Sequence, residues 1–578
     1  MRFMHGLSRS NHRFGSPRGA WLALALLALL LWAAPAARAQ TPFVGTTIDG
    51  PNPAILSLGN VSLARDGTGA VSYLRSVAGV PHAFVSTESD GVWSAPLQLD
   101  TGLAGTASQP LVAAASGGRV AAVVISGGTL YGLVHNPGTR GFGAPQPLVA
   151  GASNPALSIS TFGTAYASFT APNGATPAVY VARLDRASST WQAMTQPLNL
   201  VATDAAGFNA ATRSAVAAAS DGEALVAWGE SEADGLTHVI ARRVSAAGPS
   251  IAPQDLNLPS LSGLPGGNAD SPSVSLEDAS DFGWVAFRES FTQGATQISR
   301  TIARHQYGSL FDPPEPPASG FGDLGPTVID PLVVPTVDGA DDPQVSIDGS
   351  GDGLASIETT ATHEVFADPV SDPYFTGPTR LDIVTNQIAP EPVAAVGGVD
   401  PLGAVAWLQS TGPTVAPSVA VRAYATSIFG PGTIISSPAL GAVQIGPGAL
   451  SAAADQRGDT FVAFVQGAPT GTRVVVGGVA APPQPFRLLT SGRTTQRKPA
   501  IAWTASADAL GIASYTLQVD GTAVGTTTAT HLTVPAALSY GSHTLRVIAV
   551  NRYGVKTASP SATLVVAHAK GVPGSAQP

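Results

Sequence analysis

The chain has 578 residues, of which 12% are charged and none is cysteine. Five of its 29 basic residues and none of its 38 acidic ones precede residue 40, so the remainder carries 24 basic against 38 acidic groups, a net charge of −14. Such a body repels nucleic acid and anionic lipid, and without thiols it has no disulfide, thiolate metal site or cysteine nucleophile.

In chain order, Arg2, Arg9, Arg13 and Arg18 lead into an apolar run, 20–34, that ends at Ala37-Arg38-Ala39. A basic head, a short apolar stretch and a small-residue cleavage site read as a secretory signal over 1–39. Pro35 and the brevity of the run argue against a membrane-spanning helix, which needs about 20 apolar residues. The expected location is extracellular.

From residue 61 onward one pattern recurs, at 61–73, 111–123, 157–169, 216–228, 274–287, 345–357, 393–407 and 450–464. An alternating strand reaches a Gly or Asp turn and returns as a second strand that closes on an aromatic or aliphatic residue. In the fourth copy, Asp221-Gly222 supplies the hairpin, because Gly accepts the positive φ of a tight turn. A third strand follows, as at 238–242. Then comes an aromatic with Pro three residues on and Leu three after that, kept strictly in Trp93/Pro96/Leu99, Phe142/Pro145/Leu148 and Phe375/Pro378/Leu381. Proline cannot donate to a sheet ladder, so this fourth strand is an edge.

Four-stranded antiparallel units repeated at this spacing predict an all-β fold, an about eight-bladed β-propeller over 40–487. Small residues such as Ala113 and Ala217 fit the crowded inner strands, while Trp228, Phe287, Trp407 and Phe464 fill the space between neighbouring sheets. A solenoid would need distinct polar caps, and a unit of about fifty residues is too short for a seven-stranded sandwich. The Pro-rich, acidic stretch from Pro313 to Asp342 reads as loop insertion.

Beyond about 488 the pattern changes to short strands at 500–504, 514–519, 531–534, 543–550 and 563–566. Leu538, Gly541, His543, Leu545, Val547, Ala549, Asn551 and Gly554 resemble the Gly corner and alternating strand of fibronectin type III and bacterial immunoglobulin-like domains. The resemblance covers 488–568 and implies a small β-sandwich with Trp503 and Tyr515 in its core, in a class that serves as spacer or adhesion unit. His543 stands nearest the place where the type III pattern has Tyr, so the immunoglobulin-like variant fits equally. The polar tail 569–578 reads as disordered.

Candidate site residues come from position. Arg75, Glu230, Glu289, Gln409 and Gln466 stand two beyond the closing residue of the second strand, Glu358 stands close to that place, and Asp342 and Glu391 precede first strands. In a propeller these ends open around one channel mouth, where polar groups bind a sugar or a cation. No metal ligand set or cofactor is expected. Calcium is the one cation that the acidic loops 338–342 and 277–281 bring to mind, although they lack EF-hand spacing. The turn around Asp348 vaguely resembles the Asp-box of sialidase propellers but lacks its Thr-Trp ending. Arg457-Gly458-Asp459 spells an integrin tripeptide in a turn that demands Gly and Asp anyway. With no catalytic motif in a suitable setting, the expectation is a secreted, monomeric, non-enzymatic binding or adhesion protein for an extracellular glycan or surface protein. The alternative is a carbohydrate-active hydrolase or lyase, sialidase-like or otherwise, using Glu230, Glu289 or Glu358.

Overall fold

A computed structural model describes residues 40–578 apart from 280–281, 309, 312–325, 334–337, 372, 399–400, 413, 469–470 and 569–578. The expected signal, the tail, Pro313 and Asp281 lie outside the described residues. Strands dominate, and among the described residues the sole helical element is one 3-10 turn, Pro438–Leu440.

The fold is β-propeller-like. Eight antiparallel sheets follow one another along the chain, each a meander in which neighbouring strands pair in sequence order. In the fourth, Ala215–Ala218, Ala224–Ser231 and Thr237–Ser245 pair in turn. Gly222 takes φ +94° at the first turn, which the backbone N–H of Ala219 closes onto the Glu223 carbonyl at 2.9 Å. The outer strand comes in two short pieces, Gly248–Pro249 and Gln254–Asp255, both on the third strand. Val92–Trp93 with Leu97–Gln98, and Tyr374–Phe375 with Thr379–Arg380, repeat this split around Pro96 and Pro378. A proline has no N–H to give the ladder, so the strand breaks where it stands.

The eighth sheet takes its outer strand from the other end of the chain: Thr41–Asn52 pairs with Gly471–Ala480. The first strands of successive sheets are also neighbours in order, and that of the eighth returns to that of the first. Serine hydroxyls link them. The Oγ of Ser62, Ser158, Ser275, Ser346 and Ser451 accepts the backbone N–H of Ala114, Ala218, Ile347, Val396 and Val61, at 2.9–3.1 Å. These contacts require small side chains on the inner strands, and the Ser451 to Val61 bond joins residues 390 apart in sequence.

The closing aromatics are fully buried between sheets. Trp228 packs on Tyr166, Val179 and Val181, Phe287 on Leu225, Ala227 and Val239, Trp407 on Leu354 and Ala367, and Phe464 on Ala404 and Val421. Each therefore faces the preceding sheet, and burying such a ring stabilises by about 1.5–3 kcal/mol.

Residues beyond 488 form two further sheets around a core containing Trp503, Tyr515, Leu517 and Val547. His543 lies in the strand Gly541–Asn551, its Nδ1 2.6 Å from Asp520 and its Nε2 2.9 Å from the Ser539 carbonyl. The Tyr553 ring packs at a tilt against Phe43 and Phe461, tying this part to the eighth sheet. In the same region Asp459 is fully buried, accepting the Ala481 N–H, so the Arg457-Gly458-Asp459 turn is built into the molecule.

Candidate functional site

The first strands enter the centre of the ring through a repeated irregularity. Gln109, Asn154, Ser271, Asp342 and Glu391 adopt φ between +47° and +56°, and each is followed by proline. Register shifts at Ser108/Leu111, Ser153/Ala156, Asp270/Ser273 and Asp341/Gln344 mark the same place. A bulge re-aims side chains, and a non-glycine residue at positive φ is strained by about 1–2 kcal/mol. These bulges sit at the end of the channel opposite the Asp and Gly turns.

Two adjoining cavities open there. One of about 280 Å³ is lined by Arg213, Ser271, Arg288, Asp341, Asp342, Glu358 and Glu391. The other, of about 470 Å³, is lined by Ser57, Ser108, Gln109, Asn154, Arg213 and Gln444 among others. They share Ala210, Arg213 and Pro447.

The smaller cavity collects carboxyl groups in distinct states. Arg288 holds Asp270 with two bonds, at 2.8 and 2.6 Å, and Asp341 at 2.6 Å. Glu358 is 8% exposed and accepts the Glu391 backbone N–H at 2.9 Å. Burial first, then the charges of Asp342, Glu391 and Asp341, push its carboxyl up to about 8. Burial and the same aspartates raise Glu391 to about 7. Burial and Asp341 raise Asp342 to about 6, against the opposing pull of Arg213. At neutral pH the chamber thus holds a protonated acid beside an ionised carboxylate, the pairing that proton-transfer chemistry needs.

Of the residues expected at the mouth, the structure brings Asp342, Glu358 and Glu391 together here. The others have different partners. Glu230 is fully buried, accepting the N–H groups of Leu200 and Val201 and the Trp228 indole N–H. Glu289 is fully buried and accepts the Leu258 N–H. Gln409 bonds Trp407 and Val384, and Gln466 bonds both ends of the 437–441 turn. Arg75 pairs with Asp49 at 2.8 Å and lies over the Phe84 ring. The cause is the strand period of two. A residue two beyond the closing aromatic shares its face, toward the preceding sheet, whereas Glu358 directly follows Ile357 and points the other way.

The sequence reading missed Arg213, Arg288, Gln109 and Asn154, and met Asp341 only within the acidic loop 338–342. A signal was present: a polar residue before proline, two or three positions ahead of the first strand, recurs in Gln109-Pro110, Asn154-Pro155, Ser271-Pro272, Asp342-Pro343 and Glu391-Pro392. The acidic loops considered for calcium are engaged internally. Asp338 accepts the Ala361 N–H and the Thr362 hydroxyl, Asp341 pairs with Arg288, and Asp278 with Arg65. Among the described residues no cluster of His, Asp and Glu is arranged to hold a metal ion.

No family model matches the chain, and no curated protein matches it. Solved structures do. The polysaccharide lyase Uly1 is 9% identical, over 73% of this chain and 89% of its own, with a TM-score of 0.37. An alpha-L-arabinofuranosidase from Podospora anserina, in complex with cellotriose, is 13% identical over 47% and 99%, with a TM-score of 0.23. The β-propeller domain of the Trilobed protease from Pyrococcus furiosus is 8% identical over 66% and 98%, with a TM-score of 0.37. These scores transfer no substrate or reaction to this chain. They do correct one expectation: structures similar to this chain include enzymes, so its architecture is no ground for excluding catalysis. The non-enzymatic binding or adhesion reading is set aside, and the carbohydrate-active alternative is carried forward on the chemistry of the cavity.

Proposed function

We propose that the chain is a secreted carbohydrate-active hydrolase, built as an eight-bladed β-propeller with an immunoglobulin-like sandwich at its C-terminal end, and acting at the channel mouth. Export rests on the basic and apolar character of 1–39. The observation that carries the reaction is the smaller cavity, where Glu358, held up to about 8, shares space with Asp342 and Glu391.

Glu358 is the proton donor. It gives its proton to the glycosidic oxygen as the bond to the anomeric carbon breaks. Asp342, ionised above about 6, takes a proton from the water that adds to that carbon. Glycoside and water are consumed, two sugars leave, and the proton on Asp342 returns to Glu358 through solvent. Arg288 holds Asp341 in place beside them through a salt bridge.

A panel of aryl glycosides and oligosaccharides incubated with purified protein tests this. Turnover is expected on one member, falling by about 10²- to 10⁴-fold in Glu358→Gln, the usual worth of a positioned proton donor. Silence across the panel, or unchanged turnover in the variant, refutes it.

A further inference from the structure

We infer that the larger cavity is a subsite for a sugar bearing a carboxylate, with Arg213 as its anchor. This rests on the hydrolase reading for the reaction next door but on separate observations for the ligand. Arg213 is the one charged residue lining that cavity; its polar lining is otherwise hydroxyl and carboxamide, from Ser57, Ser108, Gln109, Asn154 and Gln444. The described lining of this cavity therefore carries a single charge, a positive one, beside an acidic chamber and within a strongly acidic chain.

The two guanidinium groups at this end differ. Arg288 is committed to Asp270 and Asp341. Arg213 is exposed, and among the described residues no salt bridge takes up its charge. It reaches Asp342 and Glu391 only through space. A free guanidinium offers planar paired donors that match a carboxylate. Gln109 adds to this. Its Oε1 accepts the Asn154 N–H at 3.2 Å, which leaves its amide nitrogen as the end available to a ligand. The volume, about 470 Å³, falls within the range of small-molecule sites. A ring held there by its carboxylate has its glycosidic link at the shared wall formed by Ala210, Arg213 and Pro447, where Glu358 and Asp342 begin.

The experiment compares paired oligosaccharides, glucuronate-terminated and glucose-terminated, on the full chain and on Arg213→Ala, Arg213→Lys and Glu358→Gln. Turnover of the glucuronate member with at least tenfold higher kcat/KM is expected. Arg213→Ala should raise its KM about ten- to a hundredfold with kcat little changed, the worth of one charge-assisted bond pair. The KM of the neutral member should change far less than that of the glucuronate member, any change in kcat from the lost pull on Asp342 should appear equally in both, and Arg213→Lys should recover part of the KM loss. Preference for the neutral member, or an unchanged KM in Arg213→Ala, overturns the subsite while the hydrolase reading stands. If neither member turns over, calorimetry with free glucuronate decides: Arg213-dependent binding keeps the subsite and removes the hydrolase, and no binding removes both.

Discussion

The two ends of the channel are built from similar residues and do opposite things with them. At the turn end, about 150 Å³ is lined by Arg65, Asp278, Asp348 and Asp455 among others. There the charged groups are tied into turns and a salt bridge, although burial raises the carboxyls of Asp348 and Asp455 as well. Arg65 reaches across from the first sheet to pair with Asp278 of the fifth. Asp348 Oδ1 accepts the N–H groups of Ser350 and Asp352, and Asp455 Oδ1 those of Arg457 and Asp459. At the bulged end the backbone carries strain, Arg213 has no salt bridge among the described residues, and carboxyl groups crowd until their protonation shifts. Chemistry belongs where charge is left available at a cost to the fold.

Substitutions can break this contrast. Asp348→Ala removes the acceptor of its turn and should cost about 1–3 kcal/mol in denaturant unfolding, the penalty for stranding buried donors, with glycoside turnover unchanged. A lost turnover would show that the turn end takes part in the reaction. Glu289 sharpens the boundary between structure and site. Burial raises its carboxyl to about 8, so between its ordinary value near 4.5 and about 8 the folded chain holds a proton that the unfolded chain has released. Stability should therefore fall as pH rises through that window. The melting temperature of Glu289→Gln should decline less than that of the parent between pH 5 and 8, and equal declines would contradict the assignment. Asp278→Asn is the smallest perturbation. Both partners are about a third exposed, so the loss should stay below about 1 kcal/mol, as calorimetric melting would measure.

Much of the fold was legible because hairpin chemistry is local. Asp221-Gly222 and its counterparts announce their turns, and Pro96 or Pro378 announces the break in an outer strand. Closure of the ring was not legible, because the pairing of Thr41–Asn52 with Gly471–Ala480 joins segments more than 400 residues apart. Of the site, Asp342, Glu358 and Glu391 were chosen by position along the strands. Glu230, Glu289, Gln409 and Gln466 stand two beyond the closing residue, and position along the strand alone does not tell which face a strand end presents. Applying the period of two from Trp228 and Trp407 directs them into the sheet interface. Arg288 directly follows Phe287 as Glu358 follows Ile357, and Arg213 stands three ahead of its first strand as Ser271 and Asp342 do, but neither place is marked in the sequence as facing the channel, and only the assembled ring brings them to the carboxyl groups.

The pH dependence of kcat/KM tests the central claim most directly, because it reads the free enzyme's acid and base. Asp342 must be ionised and Glu358 protonated, so activity should rise through about 6 and fall through about 8, and the residual activity of Glu358→Gln should lack the alkaline fall. An alkaline fall that persists unchanged in that variant would contradict the account.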